Sequence, residues 1–381
     1  MRLSGIEITK NDSSYTIQCL LDDEVLYFKT SHIFLYEEQV SLFDAFVIAV
    51  IPVMIERQEM LYVDGAVDSF LFRQLNEQIL PRLSKINDLQ DVLQIQSLSD
   101  VIHQFDNQNR VTGVSCGVDS MATIKNLEEK KTQLDYLAFF DAGSHGSYGT
   151  KNSSINYEFR KKNALEFAKK LSYELIEVRT NAHKFLTGRF KSAHSFLNLS
   201  CAFATQGLIN HYYYASAYAI GQSTQQSGDT SNYDHIILPF LESSYFKTSS
   251  TLGEINRLER IEFISDYALV QNHLDVCTNS VRAKSIGYQN CTDCEKCMRT
   301  AISLEVLGVL KNYNGVFDLD RYHKNVDDYT SSLLLKENTM HDAELLTLLK
   351  ANNRITRNHY LIALKKKLKK SLKKFLKVFR K

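Results

Sequence analysis

Four of the seven cysteines lie in one short segment, with a spacing that suits a metal ion. The segment CTNSVRAKSIGYQNCTDCEKC supplies Cys277, Cys291, Cys294 and Cys297. Two overlapping Cys-x-x-Cys steps can turn three thiolates toward one point, and Cys277 can close a tetrahedron, so the spacing predicts a closed structural zinc site. An iron–sulfur cluster and a helix start with unligated thiols are the alternatives. The basic residues expected to offset the thiolate charge are Arg282, Lys284, Lys296 and Arg299.

A second segment, TGVSCGVDSM at 112–121, has the residue types of a loop that binds phosphate. A β-rich run enters a short polar turn and a helix leaves it, which presents unpaired backbone N–H groups at the positive end of a helix. Gly117 lets the backbone approach an anion closely. Ser115 and Ser120 can donate hydroxyl hydrogen bonds, and Asp119 can cap the helix or help to hold Mg²⁺.

Two other interpretations of this loop stay open on the residues alone. The loop can be a plain strand–turn–helix connection that one of its own polar side chains caps. The chain repeats the Val-Asp-Ser ending at 67–69, where Asp64 and Ala66 replace the serine and the glycine, so that ending is not specific. Cys116 can also be a nucleophile, because a helix N-terminus lowers the pKa of a thiol.

The elements that would position these residues are strands and helices that alternate from Arg110 onward. The predicted strands are NRVTGVS, LDYLAFFD, YELIEVRT and part of YYYASAYAI. The predicted helices are SMATIKNLEEK, NYEFRKKNALEFAKKL and SFLNLSCAFATQGLINHYYY. This alternation predicts an α/β fold, a doubly wound parallel sheet with helices on both faces. Ligands of such sheets bind at the carboxyl ends of the strands, so the functional loops should follow Val114, Phe140, Thr180 and Ala219.

Four segments are expected along the chain. Residues 1–100 form a small N-terminal α+β domain, with two strands in TIQCLLDDEVLYFKT and helices around 41–57 and 67–83. Residues 105–240 form the α/β domain with the phosphate loop. From about 240 the pattern is mainly helical, with a zinc-binding region at 241–330 and a helical tail with a basic end at 331–381.

Further polar residues lie at the predicted strand ends. Asp141, in FFDAGSHGSYG, can contact ribose or adenine or belong to a flexible loop. Thr180, Asn181 and His183 follow the third strand, where a turn with an Asn cap is the alternative to a ligand site. His194 can face a substrate, or it can be a solvated or capping residue.

Two more features have both a functional and a structural interpretation. The long polar segment YAIGQSTQQSGDTSNYD at 218–234 is a natural substrate lid. Arg257 and Arg260 can hold a pyrophosphate or an acidic substrate, or they can be helix-surface charges.

Composition and charge indicate a globular protein with an unusual C-terminal end. Hydrophobic residues make up 44% of the 381 residues, and the start of the chain has no signal-peptide pattern, so a cytoplasmic location with reduced cysteines is expected. The apolar run Ala45–Ile55 is too short to span a bilayer and predicts a buried helix. Lys365–Lys381 holds ten basic residues and no acid, whereas the remaining chain carries a net charge of −9. An acidic body is a poor surface for nucleic acid.

The tail predicts an amphipathic basic helix. Lysines surround apolar residues at helical spacing, which are Leu361, Leu364, Leu368, Leu372, Phe375, Leu376 and Phe379. Such a helix at 361–381 suits an anionic membrane interface, which would place the protein at the inner face of the membrane. Nucleic acid, a partner protein and a solvated tail are the alternatives.

The loop and the cysteines together resemble a known family. SCGVDS resembles the Ser-Gly-Gly-x-Asp-Ser loop of the PP-loop ATP pyrophosphatases, with Cys116 replacing the second residue. The cysteine layout, late in the chain, resembles that of 7-cyano-7-deazaguanine synthase-like proteins, although Cys277 and Cys291 are further apart. CEKCMRTAISLEVLG and GEINRLERIEFISDYALVQNHLDVC are similar to uncharacterised PP-loop proteins of polysaccharide or peptide-product pathways. The resemblance covers roughly 110–310.

This resemblance implies an ATP-dependent, AMP-forming ligase or amidotransferase. ATP and Mg²⁺ would be held by Ser115, Cys116, Gly117, Val118, Asp119, Ser120, Asp141 and Thr180, with Asp119 and Ser120 in catalytic roles. A carboxylate or carbonyl oxygen of a small molecule, sugar or peptide would be adenylated, and ammonia or an amine would then displace AMP. A sulfurtransferase of the same family and a non-catalytic nucleotide-binding scaffold at the membrane are the alternative functions.

Overall fold

The computed structural model describes residues 1–11, 14–32, 43–102, 107–335 and 339–378. Contacts within the chain define two units. The first contains Met1–Ser115 and Asp119–Asn256, and the second contains Cys116–Val118 and the chain from Arg257 onward. The four expected segments stay a prediction, but the strands of the first hundred residues belong to the same sheet as those that follow Arg110.

The first unit contains one ten-stranded sheet in the order β10–β9–β6–β7–β8–β3–β2–β1–β4–β5. Its strands are β1 (Arg2–Asn11), β2 (Ser14–Leu21), β3 (Glu24–Thr30), β4 (Leu61–Asp68), β5 (Ile95–Val101), β6 (Arg110–Gly113), β7 (Tyr136–Asp141), β8 (Glu174–Thr180), β9 (His211–Tyr214) and β10 (Lys247–Ser250). Most neighbouring strands are parallel, and within the described ranges only the pairs β1·β2, β2·β3 and β3·β8 are antiparallel. The α/β prediction is therefore confirmed at this coarse level.

The five strands from β6 to β10 form the parallel part that positions the candidate site. The chain runs from β6 to β7 and β8 on one side, and then returns to the other side of β6 for β9 and β10. Strand order therefore reverses between β6 and β9. In open α/β sheets such a reversal leaves a crevice at the carboxyl ends of the strands, where ligands bind.

The antiparallel part begins with the hairpin β2–β3, which was predicted from the sequence. Asp22 makes the tight turn with a φ of 54°, a left-handed conformation that Asp tolerates. β3 then pairs with β8, with Phe28 opposite Thr180. This pairing joins the N-terminal strands to the parallel strands.

The helices of the first unit are α1 (Asp44–Arg57), α2 (Ser69–Gln74), α3 (Leu80–Ile86), α4 (Val118–Glu129, whose first residue groups with the second unit), α5 (Lys151–Lys170), α6 (His194–Phe203) and α7 (Asp234–Ile237). A π-helical turn, Leu75–Ile79, connects α2 with α3. The expected buried helix over Ala45–Ile55 is confirmed, since α1 is buried from Asp44 to Met54 and includes Pro52.

One sequence prediction for this unit was wrong. The helix expected over 195–214 ends at Phe203, and HYYY forms β9, because alternate burial of its tyrosines suits a strand. The prediction that the chain is mainly helical from about 240 is confirmed, with Lys247–Ser250 as the short strand β10 beside β9.

The second unit is helical. Its helices are α8 (Arg257–Ile264), α9 (Ala268–His273), α10 (Ser280–Ser285), α11 (Glu295–Val306), α12 (Leu319–Leu333), α13 (Met340–Ala351) and α14 (Arg357–Val378). Helix α11 packs against α8, α12 and α13 through buried residues such as Met298, Ile302 and Leu304. Among the described residues, no helix is both long and apolar enough to cross a membrane.

Candidate nucleotide pocket and metal centre

A cavity of about 170 Å³ lies at the carboxyl ends of β6, β7 and β9. Its lining includes Ser115 and Ser120 from the predicted phosphate loop. The two hydroxyl oxygens are 3.1 Å apart, so one serine donates a hydrogen bond to the other. Ser120 is in the first turn of α4, where backbone N–H groups have no partner within the helix. The structure therefore brings both serines to the strand-order reversal where a ligand is expected.

The four residues between these serines, Cys116, Gly117, Val118 and Asp119, do not line this cavity. Gly117 and Asp119 are half-buried, and Val118 is buried. Asp119 lies in the first turn of α4, where a negative charge is favourable.

Cys116 adopts the left-handed backbone conformation, with a φ of 57°. Its side chain is 1% exposed, and its carbonyl accepts a hydrogen bond from the Asp275 N–H at 2.8 Å. Burial raises the pKa of the thiol well above its ordinary value, and the nearby Asp275 raises it further. A buried, protonated thiol is a poor nucleophile, so the geometry opposes the nucleophile interpretation.

The repeated Val-Asp-Ser ending at 67–69 folds as an ordinary capped helix start. Asp68 Oδ1 accepts hydrogen bonds from the N–H groups of Phe70 and Leu71, at 3.0 and 3.1 Å. The same oxygen accepts from the Ser244 N–H at 2.9 Å. One carboxylate oxygen of this aspartate therefore accepts three backbone N–H groups, as expected of a structural helix cap.

Sequence reasoning missed several residues that line the cavity, most notably His145 and the tyrosines of β9. His145 Nε2 is 3.2 Å from the Phe140 carbonyl oxygen, and burial lowers the pKa of the imidazole to about 3, so the ring is neutral. Tyr212 lies under Gly113, where an added Cβ would come within 2.6 Å of the tyrosine hydroxyl. The available signals were the position of His145 after β7 and the tyrosine cluster at 212–214.

A buried polar network adjoins the cavity at Tyr214. The Tyr214 hydroxyl donates to Ser195 Oγ at 3.0 Å, and Ser195 Oγ donates to Asp234 Oδ1 at 2.5 Å. Burial raises the pKa of Asp234 to about 6. His194 Nε2 lies 3.2 Å from Asp229 Oδ1. Burial raises the pKa of Asp229, but hydrogen bonds from His194 and Ser231 lower it more, so the pKa lies below its ordinary value.

These contacts decide how two predicted features are built. His194 is held by Asp229 and Ser231, so it is part of the scaffold. The predicted lid at 218–234 contains two short 3-10 turns, Ile220–Gln222 and Thr230–Asn232, and Asp229 caps the second. The segment is therefore ordered by its own hydrogen bonds.

Asp141 and Thr180 lie in a second cavity of about 180 Å³, which Ser115 and Ser120 do not line. Asp141 accepts from Arg179 at 3.2 and 3.3 Å. Burial raises the pKa of Asp141, although Arg179 opposes this change. The structure thus separates these two residues from the serines, and the eight expected nucleotide contacts are not gathered in one cavity.

The polar residues after Thr180 have separate positions. His183 lines the second cavity, and burial lowers the pKa of its imidazole. Asn181 extends the pairing of β3 with β8: its Oδ1 accepts from the Tyr27 N–H at 2.9 Å, and its Nδ2 donates to the Val25 carbonyl at 2.8 Å. Asn181 therefore has a structural role, although its side chain does not cap the turn that follows it.

The four cysteines of the second unit form one cluster. The sulfur atoms of Cys277, Cys291, Cys294 and Cys297 all lie within 4.8 Å of one another. The Cys291–Cys297 and Cys294–Cys297 sulfur distances are 3.9 and 3.3 Å. Sulfurs around tetrahedral zinc, each at about 2.3 Å, are separated by about 3.8 Å. The cluster can therefore hold a metal ion such as zinc.

Backbone N–H groups surround this cluster. Cys277 Sγ accepts from the N–H groups of Asn279 and Cys291 at 3.2 and 3.4 Å, and Cys291 Sγ accepts from Cys294 N–H at 3.4 Å. Hydrogen bonds from neighbouring thiols lower the pKa of Cys291 to about 6 and lower that of Cys294 strongly. The same close contacts raise the pKa of Cys277 and Cys297. Donors to sulfur favour the thiolate form that binds metals.

The expected basic residues act differently from the prediction. Arg282 and Arg321 both contact Asp293 Oδ2 at 2.5 Å, and Arg299 pairs with Asp342 at 3.4 Å. Arg282 and Arg299 therefore pair with carboxylates, and their predicted role of offsetting thiolate charge stays a prediction.

For Arg260, the alternative of a helix-surface charge was wrong, whereas ligand binding stays a prediction. The side chain is 1% exposed, so it is a buried part of the second unit and not a surface charge.

Comparison of the chain with protein-family models, with curated proteins and with solved structures finds no match in any of the three.

Proposed function

We propose that this protein is an ATP-dependent, AMP-forming ligase whose nucleotide binds over Ser115–Ser120. The observation that carries the proposal is the pair of serine hydroxyls, 3.1 Å apart, in a cavity at the reversal of strand order. Phosphate groups bind well where hydroxyl donors are combined with the positive end of a helix dipole. The resemblance of SCGVDS to the PP-loop motif supports the same ligand.

The residues suggest a division of labour in this reaction. Ser115, Ser120 and the first turn of α4 would hold phosphate oxygens, and Asp119 would contribute a carboxylate oxygen to Mg²⁺. The cavity is smaller than the roughly 300–1,000 Å³ of usual ligand pockets, so it would enclose only part of ATP. Neutral His145 can accept or donate one hydrogen bond there without adding charge.

The proposed chemistry has two steps. A substrate carboxylate oxygen attacks the α-phosphorus of ATP, and the bond to pyrophosphate breaks. Ammonia or an amine then attacks the acyl carbon of the adenylate, so that AMP leaves and an amide forms, with a proton released from the nitrogen. Positioning of the reactants and fixed donors to phosphate would provide most of the rate enhancement.

We also propose that zinc occupies the four-cysteine cluster in a structural role. Four thiolates fill a tetrahedral coordination shell and leave no open position for a substrate or water. The metal would then stabilise the second unit and take no part in adenylation.

The test is release of pyrophosphate and AMP from ATP in the presence of ammonia and a panel of carboxylic acids. Ser120→Ala should reduce the rate by about tenfold or more, because one charge-directed hydrogen bond contributes about 1.5–3 kcal/mol. The matched control is Ser69→Ala, which removes the corresponding serine of the repeated Val-Asp-Ser ending and should leave the rate unchanged.

Three outcomes separate the alternatives. ATP binding without AMP formation for any acceptor would favour a non-catalytic scaffold. Absence of ATP binding would contradict both the ligase and the scaffold. Equal losses in Ser69→Ala and Ser120→Ala would show that the loop has no special role.

A further inference from the structure

The C-terminal helix α14 carries a stripe of exposed leucines that neither the nucleotide site nor the metal site uses. Leu361, Leu364, Leu368 and Leu372 are between 54% and 61% exposed. Single exposed leucines are ordinary on protein surfaces, but four at spacings of three and four residues form a continuous apolar strip on one helix face.

The opposite face of α14 is held by α12. His359 is buried, with Nε2 3.1 Å from Asp327 Oδ1, and Ala363 is 5% exposed. Lys366 Nζ lies 2.6 Å from Asp328 Oδ1 and donates to Ser332 Oγ at 2.7 Å. These contacts fix the rotation of the helix about its own axis.

The docked face and the leucine strip lie on opposite sides of the helix. At 3.6 residues per turn, the four leucines are centred about 180° around the axis from His359, Ala363 and Lys366. Contacts with α12 therefore leave the leucines exposed. Beyond Lys366, every described side chain up to Leu372 is exposed.

Positive charge surrounds this strip. Lys365, Lys367, Lys369 and Lys370 are exposed, and the chain contains no acidic residue from Asn352 to its end. The rest of the protein is acidic, so the charge is concentrated on this helix.

We propose that α14 binds the surface of an anionic lipid bilayer. The leucine strip would lie at the boundary between headgroups and acyl chains, and the flanking lysines would contact lipid phosphates and carboxylates. Nucleic acid would satisfy the lysines but leave the leucines in water. An apolar groove of a protein would bury the leucines, but it would not match lysines that continue around the helix at successive positions. This inference does not depend on the proposed ligase activity.

The absence of tryptophan from the chain permits a direct test on the full-length protein. Leu368→Trp introduces a single fluorescent reporter into the strip. Vesicles of phosphatidylcholine with about one-third phosphatidylserine should shift its emission to shorter wavelength, and pure phosphatidylcholine should do so less. Leu98→Trp replaces a leucine of β5 that is 77% exposed and should show no shift.

Co-sedimentation with the same vesicles measures the contributions of the two kinds of side chain. The triple variant Leu364→Gln, Leu368→Gln and Leu372→Gln should bind at least about tenfold more weakly, because binding would no longer transfer three leucine side chains from water into the bilayer. Lys365→Gln, Lys369→Gln and Lys370→Gln together should weaken binding by a similar factor and reduce its salt dependence. Unchanged far-UV circular dichroism and metal content would show that both variants are folded.

Wild-type protein that stays unbound with anionic vesicles would overturn the proposal, and so would leucine variants that bind like wild type. Binding to a single-stranded RNA that needs the lysines but not the leucines, without vesicle binding, would assign the helix to nucleic acid instead.

Discussion

Cys116 shows how one residue can depart from a motif and still fit its backbone. Its φ of 57° lies in the left-handed region, which costs a non-glycine residue roughly 1–2 kcal/mol. A glycine avoids this cost, and the PP-loop motif that SCGVDS resembles has glycine at this position. The side chain is buried, so it gains packing that glycine would lack.

We predict that Cys116→Gly keeps or improves ATP cleavage and changes the free energy of unfolding by no more than about 1 kcal/mol, because relief of the left-handed strain offsets the lost packing. Cys116→Val should lose about 2 kcal/mol or more, since a β-branched residue fits this conformation poorly. Urea unfolding and pyrophosphate release measure the two effects. A Cys116→Gly protein that binds ATP but has no activity would restore the nucleophile interpretation.

Gly113 limits the floor of the cavity proposed to bind ATP. A Cβ at this position would lie 2.6 Å from the Tyr212 hydroxyl and 3.7 Å from the ring carbon that carries it. We predict that Gly113→Ala weakens ATP binding about tenfold, because Tyr212 must move into the cavity that it lines. Isothermal titration with ATP measures the change.

A second substitution tests this reason. Tyr212→Phe removes the clashing oxygen, so the double variant Gly113→Ala, Tyr212→Phe should bind ATP better than Gly113→Ala alone. A double variant that is weaker than either single variant would mean that the clash is not the cause.

At the scale of elements, α6 and α7 are joined by a buried carboxyl group. Asp234, at the start of α7, accepts from Ser195 near the start of α6, and burial raises its pKa to about 6 from 3.8. A raised carboxyl pKa means that the folded protein binds the proton more strongly than the unfolded chain. The charged form therefore destabilises the fold above about pH 6, and this penalty disappears as pH falls toward 4.

We predict that the difference in free energy of unfolding between Asp234→Asn and wild type is most favourable to the variant at pH 7 and above. As pH falls from 7 to 4, the wild type loses its buried charge, so this difference should shift by up to about 3 kcal/mol in favour of the wild type. Chemical denaturation across this range measures the trend. Asp229→Asn is the control of opposite sign: the pKa of Asp229 is lowered, so that variant should lose most stability at neutral pH and least at low pH.

At the scale of the whole molecule, the four-cysteine cluster and the sheet belong to different units. The four cysteines lie in the second unit, whereas all ten strands lie in the first. A closed metal site contributes its binding energy to the segment whose fold it completes.

We predict that the purified protein contains about one equivalent of zinc and that Cys294→Ser loses it. Amide hydrogen exchange should then accelerate in α10 and α11, which flank the ligands, more than in β6–β9, because lost metal contacts open the local structure first. Cys201→Ala, which removes a buried cysteine outside the cluster, should keep the metal. An iron–sulfur absorbance band, or equal acceleration in both units, would contradict the prediction.

Local sequence patterns were enough to predict many of the strands and helices and the cysteine cluster. The alternation of apolar strands with amphipathic helices predicted β6, β7, β8, α4 and α5. Cysteine spacing predicted the cluster, because two overlapping Cys-x-x-Cys steps can turn three thiolates toward one point and a fourth cysteine can complete the set. The periodicity of the tail likewise predicted a helix, although Phe379 lies outside the described residues and the side chains of Phe375 and Leu376 are not described.

The tertiary structure decided what local patterns cannot encode. Pairing of β3 with β8 joined the first hundred residues to the parallel strands, and strand order set which loops share a cavity. Asp141 and Thr180 were therefore separated from Ser115 and Ser120, although all four lie near strand ends. The physical reason is that residue types and spacing act over a few turns of chain, whereas the neighbours of a strand depend on contacts between residues far apart in sequence.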